Sequence, residues 1–196
     1  MTLIARRTLL LAAAALPMAA HAQSAATATV DRLHATLLDL MRNARSLGVR
    51  GRDQRLRPVM EATFNLPAMT RIAVGPPWTG FAAPQQQALV RAFSDWSVAT
   101  YASRFDGYGG ESFETLGETP RQNGDVLVNT RLNRPGDAPV LLNYLLRDGR
   151  IVDVYLTGTI SELASRRAEF TAILREGGPE RLVAELQRRT ATALAG

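Results

Sequence analysis

The stretch DVYLTGTISELASRRAEF, residues 153–170, decides the fold, because in it an apolar strand passes through a glycine directly into a capped helix. Val152, Val154 and Leu156 alternate, which places them on one face of a strand. Gly158 breaks the run, and Thr159 with Glu162 three residues later has the spacing of a capping box that opens a helix. Upstream, residues 113–118, 125–133 and 140–147 also read with a period of two. They are separated by Gly-Asp and Pro-Gly-Asp turns, and Asp148-Gly149 is a strong two-residue hairpin signal before the strand at 151–157. Downstream, Gly177-Gly178 breaks the helical pattern before a last helix containing Leu182 and Leu186.

Ahead of the strands the period is near 3.6. Val30, Leu33, Leu37, Leu40, Met41 and Ala44 predict one amphipathic helix ending near Gly48, and Leu56, Val59, Met60 and Phe64 predict a second. Pro67 opens a short helical turn through Ile72, and Gly75-Pro76-Pro77-Trp78 reads as a rigid loop. Pro84 starts a helix to about Phe105, with Leu89, Phe93, Trp96, Thr100 and Tyr101 on one stripe, and Gly107, Gly109 and Gly110 end it. Helices, then a meander, then two closing helices predict an α+β domain. Its antiparallel four-stranded sheet would be covered on one face by helices.

Arg6-Arg7 precedes an apolar run from Thr8 to Ala20, and Ala20-His21-Ala22 is a small-x-small cleavage site. Residues 1–22 therefore read as a cleaved export signal, with a paired arginine that also resembles the twin-arginine type, and residues 23–196 as a single domain. The apolar run, roughly 13 residues, falls short of the ~20 that a spanning helix needs. The compartment expected is the periplasm. The absence of cysteine removes disulfides and thiolate metal sites.

All 23 basic residues are arginine, and the formal charge of +5 falls to +3 once Arg6 and Arg7 are removed. The remaining arginines are interspersed with acids, a pattern that argues against nucleic-acid binding. Arg42, Arg45, Arg50, Arg52, Arg55 and Arg57 form a local cluster that reads as a solvated face or as a docking surface for acidic headgroups or a partner. His34 is the one histidine left after cleavage, and its place beside Leu33 on a helix suits a surface or hydrogen-bonded histidine better than a catalytic one. There is no Gly-x-Ser-x-Gly elbow, no metal-ligand spacing and no phosphate loop, so no cofactor or metal is expected.

The residues Asp153, Val154, Gly158, Ser161, Arg167 and Phe170, with the Gly-Gly break and final helix, resemble the toluene-tolerance family of periplasmic lipid carriers, the MlaC-like proteins of the Mla pathway. Looser matches follow in order at Gly75 to Trp78, Phe93, Thr100-Tyr101, Tyr108-Gly109 and Tyr144. The family's usual aromatic before its arginine is Arg166 here, and its usual Trp-Arg is Trp78-Thr79. The wording around Ala73 to Trp78 and Thr159 to Leu163 is more similar to a hopanoid-associated, HpnM-like branch.

By periodicity alone the apolar stripes are plain core; the resemblance implies that the helices stand off from the sheet and leave an apolar lipid cavity. Its lining would be Met60, Phe64, Trp78, Phe93, Trp96 and Tyr101 from the helical half. From the sheet it would be Val126, Val128, Leu142, Tyr144, Leu146, Val152, Val154 and Leu156. Arg166 and Arg167 are candidates for a headgroup, although Arg167 also suits a structural salt bridge. The implied function is to carry a phospholipid or hopanoid-like lipid between inner and outer membranes, with an inner-membrane transport complex and an outer-membrane partner. Two other readings stand beside it. One is an envelope interaction module with a filled core. The other is an enzyme of a related cone-shaped α+β fold, using Asp153 with Tyr144 or Tyr101 as acid and base.

Overall fold

The computed structural model describes residues 24–196, and the expected export signal at 1–22 lies outside them. Helix α1 (Ala25–Arg42) starts at Ser24, whose hydroxyl accepts from the Thr27 amide at 3.1 Å. It buries Val30, Leu33, Leu37 and Leu40 completely. The sequence pattern predicts that this helix continues to Gly48, but the chain turns at Asn43 instead. There the side-chain amide donates to the Asp39 carbonyl at 2.8 Å and so competes for the helix's own acceptor. Helix α2 (Ala44–Thr63) then begins earlier than expected and contains a break at Gly48, where φ is 60°.

Helix α3 (Leu66–Val74) is capped by Asn65, whose Oδ1 accepts from the Ala68 amide at 3.1 Å. The segment read as a rigid loop folds as a short 3-10 turn, Pro76–Gly80. Gly75 has a φ of 74°, which favours glycine, and a Cβ there would lie 3.3 Å from the Arg167 side chain, a tight contact. Helix α4 (Ala83–Arg104) follows.

The five strands β1 (Ser112–Pro120), β2 (Val126–Asn133), β3 (Val140–Arg147), β4 (Arg150–Leu156) and β5 (Ile160–Ser161) pair in sequence order, each antiparallel to the next. At the β3–β4 turn Asp148 and Gly149 both have positive φ, 50° and 72°, as a tight primed turn requires. The four-stranded expectation is short by one strand. Thr157 and Gly158 reverse the chain with φ of 52° and 83°, and Ile160 and Ser161 return to pair with Leu156 and Tyr155. Two residues were too few for alternation to register.

Helix α5 (Glu162–Ala193) is capped by Ser161, whose Oγ accepts from the Ala164 amide at 3.0 Å. The expected Thr159–Glu162 capping box is therefore displaced, because Thr159 belongs to the turn before β5. Gly177 and Gly178 leave the helical region, so the element comprises two segments, and Pro179 sits at the start of the second, where its missing amide hydrogen costs little.

Of the arginine cluster, Arg52 is buried and donates to the carbonyls of Ala102 at 2.7 Å and Ala44 at 3.0 Å, tying α4 to α2. Arg55 pairs with Asp39 at 2.9 Å, and Arg57 pairs with Asp53 at 3.1 Å and Asp95 at 2.7 Å. These three are structural.

Candidate functional site

Strand register sets the inner face of the sheet. Val126 lies opposite Leu146, Val128 opposite Tyr144, Thr130 opposite Leu142 and Leu132 opposite Val140. Tyr144 and Leu142 in turn face Val154 and Leu156. At one end of this face Val128, Leu146 and Ile151 are sealed in the core. At the other end Leu132, Val140, Leu142 and Leu156 stay half-buried, and together with Tyr144 and Val154 they floor a pocket of about 380 Å³.

The roof comes from every helix. Met60 and Phe64 at the end of α2, Leu66 and Met69 of α3, Phe93, Trp96 and Tyr101 of α4 with Phe105 just after it, Leu163 of α5 and Met41 of α1 all face the pocket. The aromatic rings brace one another: Phe64 meets Tyr101 edge-on at 5.8 Å, Tyr101 stacks with Phe105 at 5.8 Å, and Phe93 meets Trp96 edge-on at 6.0 Å. Polar groups gather elsewhere on the lining, among them Arg104, Asp106, Glu111 and Arg134.

Several sequence-derived candidates are thus assembled in one place: Met60, Phe64, Phe93, Trp96, Tyr101, Leu142, Tyr144, Val154, Leu156 and Arg166. Others are not. Trp78 lies half-buried in the 3-10 turn, where its carbonyl accepts from Gln86 Nε2 at 2.9 Å. Val126, Val128 and Leu146 have the correct facing but belong to the core end, where helices close on the sheet. Val152 is displaced by a bulge: Leu145 pairs with Asp153 and Leu146 with Ile151, so Val152 is the extra residue and Ile151 takes the inward place. Strict alternation from Val154 back to Val152 cannot anticipate that slip.

Arg167 is also outside the lining. Its Nε and Nη2 both donate to the Ile72 carbonyl, at 2.9 and 2.6 Å, so it fastens α5 to the end of α3, with no acidic partner among the described residues. Arg166 does line the pocket, but it is engaged: it reaches Glu162 at 3.3 Å and Glu169 at 3.6 Å, and its guanidinium lies 4.6 Å over the Trp96 ring. Sequence reasoning missed Met41, Leu66, Met69, Leu132, Val140 and Leu163. The signal available was Leu66 and Met69, three apart on one turn of a short helix.

On the same inner face of the sheet, under α1, the Tyr144 hydroxyl lies 3.1 Å from His34 Nε2, and the imidazole stacks on Phe113 with 3.9 Å between centroids. His34 is 4% exposed, and burial lowers its pKa to about 3. In the unfolded chain the group titrates near 6.5. Between those values the unfolded state binds the extra proton, so the contribution is fully present above 6.5 and is lost as pH falls toward 3. Lowering the pH from 7 to 5 costs about 2 kcal/mol through this group. Urea denaturation at both pH values checks it: His34→Asn removes that part of the pH dependence, whatever it does to stability at pH 7.

Asp153 is not brought to either tyrosine. It pairs with Leu145, whose side chain points away from the Tyr144 face, and its carboxylate accepts from the Val154 amide at 2.8 Å, Ser161 Oγ at 2.5 Å and the Leu163 amide at 3.3 Å. These bonds pin the start of α5 to β4. Burial raises the pKa of Asp153 and, by the same cause, those of Tyr101 and Tyr144. Without the pairing of Asp153 with Tyr144 or Tyr101, that acid–base reading loses its geometry. Among the described residues no cluster of His, Asp or Glu could hold a metal ion, and no helix is long and apolar enough to cross a membrane.

A family model described as "MlaC protein" matches residues 31–188. No curated protein matches the chain. Among solved structures, the chain is similar to a phospholipid-binding protein from Ralstonia solanacearum, determined in complex with a phospholipid. The TM-score is 0.71 at 21% identity, covering 86% of this chain and 96% of that chain.

Proposed function

The chain belongs to the MlaC protein family, and from that membership we propose that it is a periplasmic lipid carrier whose pocket receives the apolar tails of its cargo. The observation that carries the reading is the pocket itself: an apolar floor from β2, β3 and β4 under a methionine- and aromatic-rich roof, with charged groups elsewhere on its lining. Burying each methylene is worth about 0.8 kcal/mol, so an acyl chain of roughly sixteen carbons is stranded in water without such a host. Tails need only apolar surface, which methionines and ring edges supply while adapting to different chains.

The cargo is a phospholipid or a hopanoid-like lipid, moved between inner and outer membranes with a transport complex at the inner one and a partner at the outer one. The structural likeness to a phospholipid-binding protein supports the first cargo. The sequence likeness to the hopanoid-associated branch supports the second. Residues 1–22 serve as the export signal, and residues 23–196 form the working domain.

Native mass spectrometry of the mature protein isolated from its own envelope tests this. A stoichiometric phospholipid or hopanoid is expected, and its identification assigns the cargo class. Empty protein that also extracts neither lipid from vesicles overturns the carrier reading in favour of an interaction module.

A further inference from the structure

The headgroup positions expected from the sequence are occupied in other ways, since Arg167 is bound to a carbonyl and Arg166 is paired with two glutamates. Charged groups do collect elsewhere on the pocket lining. Arg104 ends α4, Asp106 and Glu111 lie in the loop to β1, and Arg134 begins the β2–β3 turn, and all four line the pocket. The two loops touch: a Cβ added at Gly110 would lie 3.1 Å from Pro135 Cγ, so the loop residues and Arg134 share one rim.

These four groups are not paired with one another. Among the described residues Arg104, Asp106 and Glu111 form no ion pair, although two acids and two arginines share the rim. Glu111 is held in place by the Gly109 amide, which donates to its Oε2 at 2.6 Å and leaves Oε1 open. Arg134 is steadied by the Ala138 carbonyl at 3.0 Å and lies 3.7 Å from the exposed Asp137. The rim thus offers guanidinium groups and carboxylates side by side at the edge of an apolar pocket.

We propose that this rim selects a headgroup bearing both signs, a phosphate joined to a protonated amine, with Arg104 and Arg134 facing the phosphate and Asp106 and Glu111 the ammonium. Guanidinium groups pair with phosphate oxygens, and a primary ammonium offers three donors to carboxylates. A purely anionic headgroup brings either a further negative charge, which the carboxylates repel, or neutral hydroxyls, whose bonds to carboxylates lack the charge assistance of an ammonium. An uncharged polycyclic lipid uses neither half of the rim. The inference rests on the carrier reading and narrows its cargo to an amine-bearing phospholipid.

The test offers delipidated protein mixed vesicles of phosphatidylethanolamine, phosphatidylglycerol and a hopanoid in equal amounts, and reads the bound lipids by native mass spectrometry. The rim is solvent-exposed, so the expected enrichment of phosphatidylethanolamine over phosphatidylglycerol is roughly two- to fivefold, shrinking at high salt. Asp106→Asn combined with Glu111→Gln abolishes that preference, the glutamine carbonyl still accepting from Gly109. Arg104→Gln combined with Arg134→Gln lowers both phospholipids relative to the hopanoid. Uptake without preference, or a preference that survives both double variants, overturns the headgroup inference alone. Failure to take up any of the three lipids overturns the carrier reading beneath it.

Discussion

Leu142→Trp abolishes lipid capture while the chain remains folded. Leu142 sits mid-floor, opposite Thr130 on β2 and Leu156 on β4, and its side chain is half-buried because it packs against the core on one side and borders the pocket on the other. An indole at that position extends into free space of about 380 Å³ and takes the room the tails require. The control is Leu146→Trp, four residues on, on the same face but 2% exposed and sealed in the core, where overpacking costs about 1–3 kcal/mol or more. Thermal unfolding followed by circular dichroism and lipid stoichiometry by native mass spectrometry separate the two. The first variant melts near wild type and carries no lipid; the second melts lower. Full lipid occupancy in Leu142→Trp would sink the assignment of this pocket to tails.

Phe170→Ala destabilises the protein by about 3–5 kcal/mol. Phe170 is 1% exposed on α5, with its ring 6.3 Å from Phe93 and 6.1 Å from Trp96, and Phe93 and Trp96 form part of the pocket roof. Truncation leaves a void between α4 and α5, which the Arg166 and Arg189 guanidinium groups over Trp96 and their pairs with Glu162, Glu169 and Glu185 do not fill. Against the 5–15 kcal/mol typical of whole domains, the loss is large. Urea denaturation of delipidated protein measures it, and Phe170→Leu should recover more than half. A loss below about 1 kcal/mol would mean that the two helices do not depend on this contact. Cargo offsets part of the deficit by mass action, so the melting temperature of the variant rises with bound lipid.

The sheet was largely legible because its signals are local. Asp148-Gly149 has a single favourable use between two apolar runs, and the period of two in residues 140–147 assigns Leu142, Tyr144 and Leu146 to one face before any partner is known. The Gly177-Gly178 interruption was legible for the same reason. Where a short-range rule had a close competitor, the reading slipped. Thr159 and Ser161 both suit a helix cap, and pairing of Ile160 with Leu156 made Ser161 the cap. The run from Val30 to Ala44 fits one helix, and the Asn43 side chain divides it.

The site divides along the same line. Periodicity identifies which side chains point inward, but it carries no information on how far away the opposite layer lies. Val128 and Leu142 are equivalent as sequence, two inward residues of adjacent strands. One is fully covered and the other borders open space, because helices close on one end of the sheet and stand off from the other. The bulge at Val152 shows the same limit on a single strand, since one extra residue moves a side chain off the inner row without altering the apolar pattern. By itself the sequence determined the order of the main helices and strands, the hairpin turn at Asp148-Gly149 and most of the inward-facing residues, all set by interactions within a few residues. Tertiary structure alone decided the sealed end, the open end and the charges at the rim, because these depend on distances between segments that are remote along the chain.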